Sequence, residues 1–118
     1  MLHHVGIEVA PADIEATVGF FELLGFERVE PPEALREYTW LEQDGTQIHL
    51  MPRDDPLVPQ AGHLAVVVPD FEEALRRLQA AGFAAERRRE HWGSPRAWAT
   101  APGRHRVELM AAPPAPRA

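Results

Sequence analysis

The sequence predicts an α+β fold built from two βαβββ units, because one pattern of residues occurs twice along the chain. His4 and His49 lie 45 residues apart, and His63 and Glu108 repeat that spacing 59 residues further on. All four are residue types that bind metals. A duplicated unit with a candidate ligand at two equivalent places is therefore the first inference from this sequence.

The duplication extends to segments that hold no candidate ligand. Leu-Gly-Phe at 24–26 corresponds to Ala-Gly-Phe at 81–83, and Tyr-Thr-Trp at 38–40 corresponds to Arg-Ala-Trp at 96–98. A chain of 118 residues with 45% hydrophobic content is long enough for one core and too short for two independent ones. We expect a single domain over 1–118 whose two halves share a core.

The first unit, residues 1–51, begins with strand-like alternation and continues with a helical stripe of apolar residues. The stripe consists of Ile14, Val18, Phe21 and Leu24. Gly25 stands where a helix commonly ends, and Asp44-Gly45 predicts a tight hairpin. The predicted elements are a strand over 2–10, a helix over 13–24, and strands near 26–29, 37–41 and 46–51.

The second unit, residues 62–111, repeats this order after a linker over 52–61 that contains three prolines and two aspartates. Asp70 and Glu73 have the spacing of a capping box, and Gly82 predicts the helix end. The predicted elements are a strand over 63–68, a helix over 71–81, and strands near 83–88, 95–100 and 105–110. The Ala/Pro-rich tail, 112–118, is expected to be disordered.

Strand alternation predicts that the four candidate ligands share one side of their strands. The apolar positions, expected to face the helices, are Val5, Ile7, Val9, Ile48, Leu50, Leu64, Val66, Val68, Val107 and Leu109. His4, His49, His63 and Glu108 occupy alternate positions and should face away from the helices. Glu8 shares the side of His4, whereas His3 is expected on the apolar side.

Composition excludes several classes of partner. The net charge is −6, and the only basic run is Arg87-Arg88-Arg89, which predicts a solvated edge strand more than a site. This balance argues against a nucleic-acid partner. Neither a leader-like amino terminus nor an apolar stretch of membrane-spanning length is evident, so we expect a soluble, cytoplasmic protein without a membrane partner.

Several chemistries are excluded as well. The chain has no Cys and no Lys, which rules out thiolate and Schiff-base catalysis. Its only Ser, Ser94, lacks the setting of a nucleophile elbow, and no glycine-rich phosphate loop is present. Chemistry run by His, carboxylates, Arg and a metal ion remains.

The repeated βαβββ order, with HHVGIEV and GHLAVVV opening the two copies and IHLM and VELM closing them, resembles the vicinal oxygen chelate superfamily. This is the fold of glyoxalases, bleomycin-resistance proteins and extradiol dioxygenases, and the resemblance covers residues 1 to about 111. It implies a curved eight-stranded mixed sheet around a cleft, formed within one chain or across a homodimer. It also implies metal ligands on the first and last strand of each unit, here His4, His49, His63 and Glu108.

The chain departs from the family pattern at two places. Glyoxalase-like and epimerase-like members often carry a carboxylate or an amide at the position of His49. Fosfomycin-modifying members use ligands like His4, His63 and Glu108. The segment APGRHRVEL differs from the DPDGN turn common in the family. These departures leave the fold prediction intact and the subfamily open.

Three imidazoles and one carboxylate suit Fe, Mn, Ni, Co or Zn, whereas Mg²⁺ and Ca²⁺ prefer oxygen ligands. Four such ligands leave two adjacent positions of an octahedral ion, where a substrate could chelate through neighbouring oxygens and be polarised by the ion as a Lewis acid. Glu108 or Glu8 is the expected catalytic acid or base. The expected substrate-binding residues are Trp40, Trp98, Arg96 and Tyr38, with core packing as the alternative for both tryptophans.

Three functional hypotheses follow. The first is a metal-dependent enzyme of the glyoxalase or dioxygenase type, with isomerase, lyase or oxygenase chemistry on a small oxygenated substrate. The second is a metal-free drug-binding protein of the bleomycin-resistance type, with an acidic dimer and an aromatic-lined cleft. The third is a fosfomycin-type epoxide transferase, which shares the metal and differs in substrate. The ligand quartet favours the first.

Overall fold

A computed structural model describes residues 1–117 and divides near residue 58 into two compact units, each with the element order βαβββ. The predicted α+β class and the two βαβββ units are confirmed. The eight strands are hydrogen-bonded as two mixed sheets of four strands, one in each unit. The first unit contains β1 (His4–Val9), α1 (Ile14–Glu22), β2 (Glu27–Val29), β3 (Thr39–Gln43) and β4 (Thr46–Pro52). The second contains β5 (Leu64–Val67), α2 (Phe71–Ala80), β6 (Ala85–Arg88), β7 (Arg96–Thr100) and β8 (Arg106–Met110).

In the first sheet the strand order is β1-β4-β3-β2, with β1 parallel to β4 and the other pairs antiparallel. The β3–β4 hairpin turns at Asp44 and Gly45, whose φ angles of 50° and 83° are those of a type I′ turn, as predicted. Gly25 has a φ of 98° after α1, which confirms the predicted helix end. β3 begins two residues later than predicted because a 3₁₀ turn over Glu33–Leu35 precedes it.

The second sheet has the equivalent order β5-β8-β7-β6, again with one parallel pair, β5 with β8. Gly82 ends α2 with a φ of 90°. The predicted capping box is wrong: the Asp70 side chain makes no capping hydrogen bond. Glu73 is instead paired with Arg76 and Arg77 one turn further along the helix, and the hydrogen bonds from these arginines lower the pKa of its carboxyl. The carboxylate of Glu73, which the predicted capping box required at the start of the helix, is thus bound by two arginines on the same helical face.

The apolar positions predicted in β4 and β8 are buried. Ile48 and Leu50 are 3% and 0% exposed, and Val107 and Leu109 are both 0% exposed. The α1 stripe is wider than predicted, because Phe20 is fully buried beside Phe21 and the two rings meet edge to face. Burial of one such ring contributes about 1.5–3 kcal/mol. The helix-facing sides of the strands therefore supply the core, and the opposite sides are left for polar residues.

Strand register places the duplicated residues at equivalent points. His49 is the partner of Gly6 on β1 and of Trp40 on β3. Glu108 is in the same way the partner of Ala65 on β5 and of Trp98 on β7. The two residues thus occupy the same place in the strand register of their own sheets, which supports the interpretation of the chain as a duplication.

Between β4 and β5 the structure describes no helix or strand over 53–63, and residues 111–117 likewise have none. The last residue of the predicted tail, 118, lies outside the described residues. Neither α1 nor α2 combines the length and apolarity needed to cross a membrane, and no other helix among the described residues is longer than these two.

Candidate functional site

In the first unit, the polar side of the sheet carries a stack of three aromatic rings. The His49 ring lies between Trp40 and His4, with ring centroids 4.0 Å and 3.9 Å apart and interplanar angles of 2° and 14°. Trp40 and His49 are direct partners on β3 and β4, which places their rings face to face. The register therefore builds this stack, and His49 is only 9% exposed within it.

Hydrogen bonds show which ring nitrogen of His49 is the donor. Gln47 donates from Nε2 to Glu42 Oε1 at 2.8 Å, and its Oε1 lies 2.8 Å from His49 Nε2. Because an ionised carboxylate only accepts, the amide nitrogen must face Glu42 and the amide oxygen must face His49. His49 Nε2 is therefore the donor, and the lone pair of the neutral ring is on Nδ1.

Burial, with smaller contributions from the nearby His4 and His3, lowers the pKa of His49 below 6.5. The ring is thus neutral near pH 7, which is the form that binds metals. As placed, however, it could offer an ion only Nδ1, because the bond to Gln47 occupies Nε2.

His3 does not lie on the apolar side as the alternation predicted. Its Nδ1 is 2.9 Å from Nδ1 of His4, and the two rings meet edge to face at 5.2 Å. His3 precedes β1, which begins at His4, so the strand alternation does not extend to it. Its ring turns to the same side as His4, and its Nδ1 is hydrogen-bonded to one of the two ring nitrogens of His4.

The other candidates of the first unit have separate surroundings. Glu8 accepts a hydrogen bond of 2.9 Å from the backbone N–H of Leu57 and so ties the linker to β1. Tyr38 lies before β3, where its backbone N–H donates to the carbonyl oxygen of Leu35 and closes the turn that follows the 3₁₀ segment. Trp40 Nε1 is buried and has no acceptor among residues 1–117. An unpaired buried donor costs about 1–3 kcal/mol, so this N–H is available to an oxygen of a ligand.

In the second unit, Glu108 lies between Arg96 and His63. Arg96 donates from Nε to Glu108 Oε2 at 2.8 Å, and the two side chains are 9% and 12% exposed. Arg96 also donates to the backbone oxygen of Arg89 at 3.0 Å. The predicted substrate-binding residue Arg96 is thus engaged within the protein, where it neutralises and orients Glu108.

His63 faces the other oxygen of Glu108. Its Nδ1 lies 3.0 Å from the carbonyl oxygen of Ala61, so Nδ1 carries a proton and donates it. Its Nε2 lies 3.5 Å from Glu108 Oε1. A backbone carbonyl on the far nitrogen is the usual way in which proteins orient an imidazole that binds a metal through Nε2.

The His63–Glu108 pair fits a divalent ion. Two atoms that each lie about 2.1 Å from one ion are separated by about 3.0 to 3.4 Å at octahedral or tetrahedral angles. The observed separation of 3.5 Å is close to this range. The His4–His49 pair fits less well: rings stacked nearly in parallel at 3.9 Å cannot both direct in-plane lone pairs at one ion without rotating. Within residues 1–117, neither unit by itself gathers three His, Asp or Glu side chains that could hold a metal.

Trp98 forms the floor beside this pair. His63 meets it edge to face at 4.6 Å, and the guanidinium carbons of Arg106 and Arg96 lie 4.1 Å and 5.5 Å from its ring centroid. Trp98 thus lies on the same side of its sheet as Glu108 and contacts these three polar side chains there. The Arg87-Arg88-Arg89 run falls on and beside β6, the edge strand, where Arg87 pairs with Glu72 and Arg88 with Glu86.

Sequence reasoning missed three residues of these two clusters: Glu42, Gln47 and Arg106. Gln47 and Arg106 each lie two positions before a predicted ligand, and alternation alone puts them on the same side of the strand. Glu42 is the β3 partner of Gln47, a relation that depends on the register and was not predicted.

The fold and the two polar clusters define a class of duplicated βαβββ proteins with polar side chains on the sheet sides away from the helices. The family model of the Glyoxalase/Bleomycin resistance protein/Dioxygenase superfamily matches residues 1–116, and the chain belongs to this superfamily. Its members include enzymes and bind small molecules. Among curated protein sequences, no significant relative is found.

Solved structures show the same fold at low sequence identity. A Bacillus anthracis protein described under the glyoxalase family is 21% identical with a TM-score of 0.81, and the match covers 93% of each chain. The fosfomycin resistance protein FosX from Listeria monocytogenes is 20% identical with a TM-score of 0.77, over 96% of this chain and 91% of that one. Oxidase ChaP-H2 is 20% identical with a TM-score of 0.76, over 97% and 94%. At these identities the likeness concerns the fold alone.

Proposed function

We propose that the protein is a metal-dependent enzyme of the glyoxalase or dioxygenase type that acts on a small oxygenated substrate. The observation that carries the proposal is the His63–Glu108 pair. Its facing atoms are 3.5 Å apart, and the second atom of each side chain is held by the protein, through Ala61 and Arg96. A pair that is oriented from behind and faces a common point is the arrangement expected of metal ligands.

The proposed ligands are those that the duplication selects, His4, His49, His63 and Glu108. The support for one ion shared by both pairs is their common spacing of 45 residues. His49 is the weakest member, because its Nε2 donates to Gln47. A set of His4, His63 and Glu108, with His49 stacked behind His4, is equally consistent with the local contacts.

Fe, Mn, Ni, Co or Zn suits these donors and would supply Lewis-acid chemistry, or oxygen chemistry in the case of Fe. The side chains have separate tasks. Arg96 fixes Oε2 of Glu108 and leaves Oε1 to bind the ion or to move a proton. Trp40 can donate its unpaired Nε1–H to a substrate oxygen, and Tyr38 is proposed to line the same region. Glu8 is the second candidate base, although its carboxylate already accepts from Leu57.

The alternative is a metal-free binding protein of the bleomycin-resistance type. The hydrogen bond that occupies His49 Nε2 and the ring stack of His4, His49 and Trp40 favour it, since both satisfy the histidines without an ion. The net charge of −6 would suit a cationic drug. The third hypothesis, a fosfomycin-type epoxide transferase, shares the metal and uses ligand types that this chain carries at His4, His63 and Glu108.

A homodimer is part of the proposal. β1 and β5 each form one edge of their sheet, and unpaired edges favour association with a second copy. Light scattering at micromolar concentration should give twice the mass of the 13.2 kDa chain; the monomer mass would contradict this part. A cytoplasmic location is proposed with it and would be checked by cell fractionation.

Elemental analysis of protein purified without a chelator or a metal-binding tag tests the proposed function. The enzyme hypothesis predicts stoichiometric transition metal, and the identity of the ion separates oxygenase chemistry (Fe) from isomerase or lyase chemistry. Metal-free protein that also fails to bind added Mn²⁺, Co²⁺, Ni²⁺ or Zn²⁺ would favour the binding-protein hypothesis instead.

A further inference from the structure

Arg106 is an arginine whose charged group is held in place without a carboxylate partner. Its guanidinium carbon lies 4.1 Å from the Trp98 ring centroid, and the side chain is exposed. Stacking on an indole face restricts the guanidinium, while its N–H groups point outward from the edge of the plane. The side chain is therefore ordered for binding and still has free donors.

The neighbouring arginines on the same side of the sheet differ from Arg106. Arg88 is paired with Glu86, and Arg96 is paired with the buried Glu108. Within residues 1–117, Arg106 has no carboxylate within 4.0 Å. Among the described residues, Arg106 is consequently the arginine next to Glu108 whose charge remains uncompensated on this side of β8.

We propose that Arg106 binds an anionic group of the substrate, a carboxylate or a phosphonate. Both are planar or trigonal arrays of oxygens that a guanidinium binds through two parallel hydrogen bonds. Arg106 and Glu108 stand two residues apart on one strand, so their backbones are about 6.5 to 7 Å apart. A substrate with its anion on Arg106 would therefore present a group only a few bonds away to Glu108 and His63.

This inference names the substrate class for the proposed enzyme and rests on that function for its role in catalysis. Anion binding by Arg106 does not itself require the metal. An experiment on metal-free protein can thus separate failure of the anion site from failure of the proposed function.

The test uses the full chain, treated with a chelator that is then removed by gel filtration. Malonate, methylphosphonate and the uncharged malonamide are titrated at constant chloride concentration, and the indole N–H signal of Trp98, assigned by Trp98→Phe, is followed by NMR. We expect saturable shifts with one or both anions and none with malonamide. Because Arg106→Gln replaces charge-assisted hydrogen bonds to the anion with neutral ones, it should weaken anion binding roughly 10- to 100-fold.

Arg104→Gln is the matched control, because Arg104 is exposed, lies two residues away in the turn before β8 and has no ion pair among the described residues. It should bind each anion within about twofold of the unaltered protein. Preference for malonate or for methylphosphonate identifies the anion class. Equal shifts with malonamide, unchanged affinity in Arg106→Gln, or no anion binding at all would overturn the proposal.

Discussion

Replacing Glu108 with alanine leaves the guanidinium of Arg96 without its carboxylate in a nearly buried place. The bond between Arg96 Nε and Glu108 Oε2 is 2.8 Å long, and the side chains are 9% and 12% exposed. Loss of one partner of a buried pair costs about 3–5 kcal/mol. Arg96 keeps its bond to the Arg89 carbonyl, so we expect the lower end, about 3 kcal/mol.

Urea unfolding of chelator-treated protein measures this loss. At about 4 °C per kcal/mol for a chain of this size, the melting temperature should also fall by roughly 10 to 15 °C. The double variant Arg96→Met/Glu108→Leu removes both charges and should recover all but about 1 kcal/mol, since apolar replacement of a buried pair is often neutral. A double variant that is less stable than Glu108→Ala would refute the argument, because the loss would then not come from the stranded charge.

Three further predictions concern single residues. His4→Ala should weaken Mn²⁺ or Co²⁺ binding at least 10- to 100-fold, and His3→Ala, which removes a hydrogen bond and a ring contact to His4, should weaken it less. Titration calorimetry that gives equal losses for both would contradict this order. The pKa of His49 is lowered in the folded protein, so the stability that its neutral ring contributes to the metal-free protein is complete above pH 6.5. That contribution is lost as the pH falls through the folded-state pKa. Urea titrations of His49→Phe should lack this part of the pH dependence. Gly45→Ala should lower the free energy of unfolding by about 1–2 kcal/mol because the φ of Gly45 is 83°. Gly19→Ala should raise it by about 0.5–1 kcal/mol, because Gly19 lies inside α1 with no atom near the added methyl group. Urea unfolding that shows equal effects would count against the hairpin geometry.

Much of the fold could be predicted because its signals are local. Glycines at 25, 45 and 82 mark two helix ends and a hairpin, and each has the positive φ that its position requires. Alternation in β4 and β8 correctly separated Ile48, Leu50, Val107 and Leu109 from the polar side. These features depend on backbone sterics and on a period of two, both of which can be deduced from one chain.

The partners of the site residues could not be predicted in the same way. Whether His49 binds an ion or Gln47 depends on lateral contacts, and Gln47 is itself oriented by Glu42 on a neighbouring strand. Arg96 was predicted to bind substrate, but its contact with Glu108, which lies diagonal to its register partner Met110 on β8, was not predicted. His3 escaped the alternation because β1 begins one residue after it. Register and element ends, which decide these contacts, follow from tertiary packing.

The central proposal is that one ion is bound by the four residues that the duplication selects, and metal stoichiometry tests it most directly. Mn²⁺ titration followed by electron paramagnetic resonance should give one bound ion per chain for the unaltered protein. His4→Ala in the first unit and His63→Ala in the second should each weaken binding of that same ion at least 10- to 100-fold, while His91→Ala, an exposed loop control, should leave it unchanged. The proposal is contradicted if His63→Ala binds Mn²⁺ as the unaltered protein does. It is also contradicted if the unaltered protein binds two ions and each variant loses only one of them, because the two units would then bind separate ions.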